Sequence, residues 1–130
     1  MENAFVPQGY QTIMPYLIVP HADRFLDFLR DVFGAEEKLR ANREDGQIMH
    51  AEVSIGGSTL MIAEANDDWS AQPAGLYIHV SDADATYKKA LAEGATSVME
   101  PRDQDYGRSG GVKDPFGNTW WITNAAKNPV

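Results

Sequence analysis

The stretch KDPFGNTWWITN, residues 113–124, decides how this sequence is interpreted. It contains a turn-forming segment from Asp114 to Gly117, followed by a short run in which Trp120 and Trp121 stand side by side. Neighbouring side chains of a β-strand point to opposite faces. If the run is a strand, one tryptophan enters a core, and the other lies on the opposite face and needs a separate explanation.

The same pattern occurs earlier in the chain and indicates an internal repeat. GSTLMIAEA, residues 57–65, resembles GNTWWITNA, residues 117–125. The spacing of 60 positions, from Gly57 to Gly117, also pairs Gly34 with Gly94 and Ile18 with Ile78. A repeat of this size is a supersecondary unit. We therefore predict one domain over residues 1–130, with modules at about 11–65 and 76–125 and a polar linker at about 66–75.

Each copy predicts the element order βαβββ. In the first copy, strands are predicted at 12–19, 37–43, 48–55 and 58–64, and a helix with helically spaced apolar residues ends at Gly34. In the second copy, strands are predicted at 76–80 and near 96–100, 110–113 and 118–123. Asp82 is predicted to cap its helix and Gly94 to end it. The fold class is therefore α+β, with two βαβββ modules.

The alternation within residues 48–55 separates two faces of the predicted strand. We expect Met49, Ala51 and Val53 to pack beneath the helix, which leaves His50 and Glu52 together on the opposite face. Such a pair suits a general base and its partner, or a ligand contact, or a structural hydrogen bond between strands.

Composition restricts the classes of function. The chain has no cysteine, which excludes disulfides and thiolate metal sites, and its formal net charge is −8. No basic patch suits nucleic acid, and no apolar run approaches the roughly 20 residues of a membrane helix. The first residues lack the features of a signal peptide. We therefore expect a cytoplasmic protein whose partner is a small organic molecule, with no nucleic acid and no membrane.

The two βαβββ units, the helix ending FLRDVFGAEE and the DPFGN turn resemble the vicinal oxygen chelate superfamily. That group includes glyoxalase I, extradiol dioxygenases, and fosfomycin- and bleomycin-resistance proteins, and the run DGQIMHAEVSIGGSTLMIAE is most similar to its PhnB-like branch. The resemblance implies two curved mixed sheets that enclose a cavity, with the helices outside. It also implies a homodimer, in which halves are sometimes exchanged between chains.

The resemblance further implies a divalent metal in catalytic members, bound by residues on the first and last strand of each copy. Carried onto this chain, those positions are Met14, Met61, Trp121 and, on the first strand of the second copy, Tyr77 or its neighbour Leu76. Methionine and tryptophan are unsuited to hard divalent ions, which prefer oxygen and imidazole ligands. We therefore expect no metal at this position, and we expect Trp120 to be core and Trp121 to line a pocket.

Further side chains are candidates for ligand binding. Tyr16 and Tyr77 would stack on a planar molecule, and His79 shares a face with Tyr77. The predicted loop at residues 103–111 carries Tyr106 and Arg108, which would close over a ligand or form a mobile hairpin tip. Trp69 in the linker would form a wall of the pocket or fill the groove between the copies.

These observations leave two main functions open. The first is metal-free binding or sequestration of a small planar molecule, as in bleomycin-resistance proteins. The second is a lyase, isomerase or dioxygenase-like enzyme that holds one divalent metal through His50, Glu52 or His79. A weaker variant of the second uses His50 as a base without metal, and a third possibility is a dimerising module whose pocket is filled by its own side chains.

Overall fold

The computed structural model describes residues 3–126 and contains two helices and eight strands in this range. The chain divides into two compact units on either side of the Gln72–Pro73 bond, called here the first and second modules. The elements of the first module are β1 (Tyr16–Val19), α1 (Ala22–Phe33), β2 (Glu36–Asn42), β3 (Ile48–Ile55) and β4 (Ser58–Glu64). Those of the second are β5 (Gly75–His79), α2 (Ala83–Ala92), β6 (Thr96–Gln104), β7 (Gly107–Lys113) and β8 (Thr119–Ala125).

Each module contains one four-stranded mixed sheet, and the two sheets have the same topology. The strand orders are β1-β4-β3-β2 and β5-β8-β7-β6. The first and last strands of each module pair in parallel, and all other neighbours are antiparallel. This arrangement confirms the α+β class and the repeated βαβββ order.

The helices begin and end where local chemistry requires it. Gly34 follows α1 with a φ of 70°, a left-handed conformation that glycine adopts without a steric penalty, and its N–H donates to the carbonyl of Arg30. Asp82 is the N-cap of α2, and its carboxylate accepts from the backbone N–H of Ala85. Both capping predictions were made from these residue types, and both are confirmed.

One face of each sheet is buried with its helix. In the first module, Phe25 and Leu29 of α1 are buried together with Leu17, Val53 and Ile62 of the sheet. In the second module, the buried residues include Tyr87, Ala90, Val112, Trp120 and Ile122. Trp120 is 2% exposed, so the structure places it in the core, as its position in the alternation predicts.

The structure corrects the side predicted for Met49. Ala41 pairs with His50 and Asn42 with Ile48, so Met49 is an extra, unpaired residue in a β-bulge. Ile48 is consequently the buried residue at this point, whereas Met49 is exposed and lies away from α1. The alternation alone did not reveal the bulge, because every residue from Ile48 to Val53 suits a strand.

Two strand boundaries also differ from the prediction. β1 begins at Tyr16, four residues later than expected, since Pro15 has no N–H to donate to a sheet. The predicted loop at 103–111 is mostly strand. β6 ends at Gln104 and β7 begins at Gly107, so only Asp105 and Tyr106 form the turn. Of the glycines in the predicted loop, Gly110 lies at an irregular pairing, where an added Cβ would be 3.1 Å from Pro101.

Candidate functional site

The parallel strand pairs place a tyrosine beside a large side chain in both modules. Tyr16 on β1 pairs with Met61 on β4, and Tyr77 on β5 pairs with Trp121 on β8. Each tyrosine is 50% exposed and lies on the face opposite the buried core residues. Met14 precedes β1, so the first-strand position beside Met61 belongs to Tyr16.

The register also corrects one match in the sequence repeat. Tyr16 and Tyr77 are 61 positions apart, whereas their partners Met61 and Trp121 are 60 apart. Ile78 therefore corresponds to Leu17 in the structure, and not to Ile18. A constant spacing misplaces the first strand by one residue, which exchanges its two faces.

A cavity of about 390 Å³ lies on the open face of the first module. Tyr16 is one of its walls, and Trp69 from the segment after β4 is another. Trp69 is held there by its backbone N–H, which donates to the Asn66 side chain at 2.7 Å, while its indole stays 63% exposed. The remaining lining residues are Ile18, Arg43, Met49, Ala63 and Glu64.

Next to this cavity, four polar side chains form a continuous hydrogen-bonded chain. Glu52 on β3 is only 6% exposed, and one of its oxygens accepts a hydrogen bond from the Tyr10 hydroxyl. Its other oxygen lies 2.8 Å from Nε2 of His50. Nδ1 of His50 is in turn 3.4 Å from the Tyr16 hydroxyl. The chain thus runs from a buried carboxylate to a tyrosine of the cavity wall.

The hydrogen bonds fix the charge of Glu52. Donation from Tyr10, and then from His50, lowers the pKa of this carboxyl below its ordinary value, against the opposing effect of burial. The same contact raises the pKa of Tyr10, because a phenolate beside a carboxylate is unfavourable. Glu52 is therefore a carboxylate near neutral pH, and Nε2 of His50 carries the proton that it accepts.

Tyr10 was not identified from the sequence. It reaches Glu52 because the segment before β1 is tied to β4: the Thr59 hydroxyl donates to the carbonyl of Gly9 at 2.6 Å, and the Gln11 side chain donates to the carbonyl of Thr59 at 2.8 Å. A buried acid on an alternating strand signals that a donor must exist. Nothing in the spacing identifies a residue 42 positions away as that donor.

The second module has its own aromatic surface. The Trp121 ring lies against Gly111 on the neighbouring strand, where a Cβ would be 2.6 Å from Cζ3 of the indole. The Tyr77 and His79 rings meet edge to face with centroids 5.3 Å apart. Glycine at position 111 thus provides the space in which the second tryptophan lies flat on the sheet.

The DPFGN turn explains the two adjacent tryptophans. The buried carboxylate of Asp114 accepts hydrogen bonds from the backbone N–H groups of Phe116 and Asn118. It also accepts one from Nε1 of Trp120 at 2.8 Å. Because Asp114 satisfies the indole N–H of Trp120 inside the core, Trp121 is directed to the opposite face.

Arg108 is engaged within the second module. Its guanidinium forms two hydrogen bonds with Asp84 at the start of α2 and one with Asp103. These contacts raise the pKa of Arg108 and lower the pKa of Asp84. Tyr106 lies at the β6–β7 turn and is half exposed. Arg108 therefore has structural partners on the helix side of its sheet.

The side chains at the family's metal positions do not fit a divalent ion. The strand pairs present two tyrosines, a methionine and an indole, and none of these is a ligand that hard cations prefer. The histidine and carboxylate of the displaced alternative, His50 and Glu52, are hydrogen-bonded to each other. Within residues 3–126, no group of three or more His, Asp or Glu side chains could hold an ion together.

Within residues 3–126, neither helix is long and apolar enough to cross a membrane.

Comparison with known proteins places this geometry in a family. The family model described as Glyoxalase/Bleomycin resistance protein/Dioxygenase superfamily matches residues 10–122. Protein Mb0911c of Mycobacterium bovis is 35% identical over 123 residues, a match that covers 83% of this chain and 79% of the relative. Protein Rv0887c of Mycobacterium tuberculosis has the same identity, in a match that covers 83% of this chain and 71% of the relative.

Solved structures agree. TioX from Micromonospora sp. ML1 has a TM-score of 0.73 at 27% identity and covers 89% of this chain and 99% of its own. TnmS3, an antibiotic binding protein from Streptomyces sp. CB03234, has a TM-score of 0.69 at 18% identity, with coverages of 90% and 100%. The second likeness shows the fold alone. Together with the family match, these findings show that the chain belongs to the Glyoxalase/Bleomycin resistance protein/Dioxygenase superfamily.

Proposed function

We propose that this protein binds and sequesters a small planar organic molecule without a metal, in the aromatic-lined cavity of the first module. The observation that carries the proposal is the pairing of Tyr16 with Met61 at a position where the family places metal ligands. An aromatic ring and a thioether favour an apolar ligand surface over a cation. The cavity of about 390 Å³ lies within the range of small-molecule sites.

The cavity wall has the composition expected for such a ligand. Tyr16 and Trp69 offer ring faces, and Met49, exposed by the bulge in β3, adds an adaptable apolar contact. Each aromatic contact contributes about 0.5–1.5 kcal/mol beyond burial.

The proposal extends to the other expected properties. We propose a cytoplasmic homodimer, because β2 and β6 are edge strands of their sheets, whose outer backbone groups another chain can pair with or cover. We also propose that Tyr77, His79 and Trp121 form an aromatic surface of the second module that can, by itself, contact a planar ligand. Sedimentation equilibrium at micromolar concentration should give twice the 14.3 kDa chain mass.

The hydrogen-bonded His50–Glu52 pair supports a second candidate function, an enzyme in which His50 acts as a base without metal. Glu52 would stabilise the imidazolium that forms when His50 accepts a proton, which is the role of the acid in hydrolytic triads. Turnover of an added carbonyl compound that is abolished by His50→Gln would favour this function over sequestration.

Binding is tested with a panel of planar aromatic compounds, using tryptophan fluorescence and calorimetry. We expect at least one compound to bind with a Kd below about 100 μM, and we expect Tyr16→Ala and Trp69→Ala each to weaken binding by about two- to tenfold. Val98→Thr, an exposed substitution on β6, is the matched control and should change nothing. Failure of every compound to bind, or equal affinity of all four proteins, would contradict the proposal.

A further inference from the structure

The hydrogen-bonded chain beside the cavity determines which atoms still require a partner. In the tautomer of His50 whose Nε2 donates to the Glu52 carboxylate, Nδ1 has no proton and is an acceptor. The group within hydrogen-bonding range of Nδ1 is the hydroxyl of Tyr16, at 3.4 Å. In this arrangement the Tyr16 hydroxyl directs its proton toward His50, which leaves its oxygen available as an acceptor.

The donor-to-acceptor direction of these hydrogen bonds is set by the buried Glu52 carboxylate. Glu52 accepts from both Tyr10 and His50, and with both oxygens engaged it holds the imidazole ring in place. The ring centroids of Tyr16 and His50 lie 5.7 Å apart, and the ring planes are inclined at 42°, so the two side chains also contact each other directly. Tyr16 lines the cavity, whereas His50 is not one of its lining residues.

The other polar groups of the cavity wall are Arg43 and Glu64. Both oxygens of Glu64 accept backbone N–H groups at the start of α1, from His21 and Ala22, each at 2.9 Å. Glu64 is thus occupied in holding the helix, and Arg43 supplies donors only. The Tyr16 oxygen is the acceptor in the wall that is aligned by a buried network.

We infer that the molecule bound in this cavity carries a hydroxyl or N–H group on its planar ring system and donates that hydrogen to the oxygen of Tyr16, which His50 orients. This inference rests on the proposed binding function and specifies the ligand class. A ring substituted with an ether or a carbonyl would place an acceptor against an acceptor. At the Tyr16 oxygen, a phenol-like or amine-bearing ring is therefore favoured over an otherwise identical acceptor-bearing ring.

Calorimetric titration with 2-naphthol and 2-methoxynaphthalene tests the inference, because the two probes differ in a single donor. Wild-type protein should bind the naphthol about three- to tenfold more tightly, the range that a net hydrogen bond contributes. In Tyr16→Phe the ratio of the two dissociation constants should fall to about one, because the oxygen that distinguishes the two probes is gone. Tyr87→Phe, which removes a hydroxyl bonded to Ser97 on the helix side, is the matched control and should keep the wild-type ratio.

His50→Leu separates orientation from stability. If His50 only supports the fold, both probes weaken together. If it orients the Tyr16 hydroxyl, the naphthol preference falls and the affinity for 2-methoxynaphthalene does not.

The outcomes are distinguishable. Equal affinities in the wild type overturn the inference and leave planar binding standing. If neither probe binds, the inference and the proposed binding of planar molecules are both overturned. A preference that survives Tyr16→Phe overturns the assignment of the acceptor to Tyr16.

Discussion

Glu52 is a buried carboxylate whose two oxygens are occupied by Tyr10 and His50, and its stability contribution depends on its charge. Its pKa is lowered in the folded protein relative to the unfolded chain. A carboxyl with a depressed pKa stabilises the fold above its unfolded pKa of about 4.3, and this contribution is lost as the pH falls through the folded pKa.

We expect Glu52→Gln to lower the free energy of unfolding by about 1–2 kcal/mol at pH 7. The difference from the wild type should shrink as the pH falls below about 4, because the wild-type carboxyl then becomes neutral as well. Urea unfolding between pH 3 and pH 8 measures this. Glu44→Gln, at an exposed position, should show no pH-dependent difference. A constant gap across the pH range would show that the charge of Glu52 does not matter.

Gly111 and Trp121 form a second contact of this kind, in which the absence of a side chain at position 111 leaves room for the indole. A methyl group at position 111 would approach the indole to 2.6 Å, well inside van der Waals contact. We expect Gly111→Ala to destabilise the protein by about 1–3 kcal/mol, the range for overpacking, and to shift the tryptophan emission. In a Trp121→Ala background the same substitution should cost much less. A double-mutant cycle with no coupling energy would contradict the contact.

At the scale of elements, both helices depend on a side chain from the last strand of their module. Glu64 accepts the backbone N–H groups of His21 and Ala22 at the start of α1, and Asn124 accepts that of Ala83 at the start of α2. The two residues occupy the same position of the sequence repeat. Each fixes its helix to the end of the central strand β4 or β8, so the repeat preserves a contact as well as a pattern.

Glu64→Ala should lower the free energy of unfolding by about 1–2 kcal/mol, since it leaves N-terminal N–H groups of α1 without their acceptor. Glu64→Gln keeps one acceptor oxygen and should cost about half as much. Glu44→Ala is the surface control. Thermal denaturation that ranks the three variants in any other order would contradict a capping role.

At the scale of the whole chain, the four family positions are distributed over both modules and present no suitable metal ligand. We therefore expect protein purified without chelator to contain less than about 0.1 equivalent of any transition metal. Dialysis against EDTA should shift Tm by less than about 1 °C, because a metal bound tightly to the folded state would raise Tm measurably. Stoichiometric zinc or manganese, measured by elemental analysis, would overturn the metal-free proposal.

Most of the fold was predictable, and the site was predictable only in part. Apolar spacing, the Gly34 and Asp82 caps and the repeat determine the order of elements, and β3 and β4 begin and end where predicted. The bulge at Met49 and the one-residue shift of β1 depend on pairing between strands, which leaves no mark in a local pattern. Tyr10 was missed for the same reason, since its contact with Glu52 arises only when the segment before β1 folds back.

Each pair of neighbouring strands lies entirely before or entirely after the Gln72–Pro73 bond. The parallel pair β1–β4 lies wholly before it, and β5–β8 lies wholly after it. A gene split into two open reading frames at this bond would yield two polypeptides, each retaining all of its sheet hydrogen bonds.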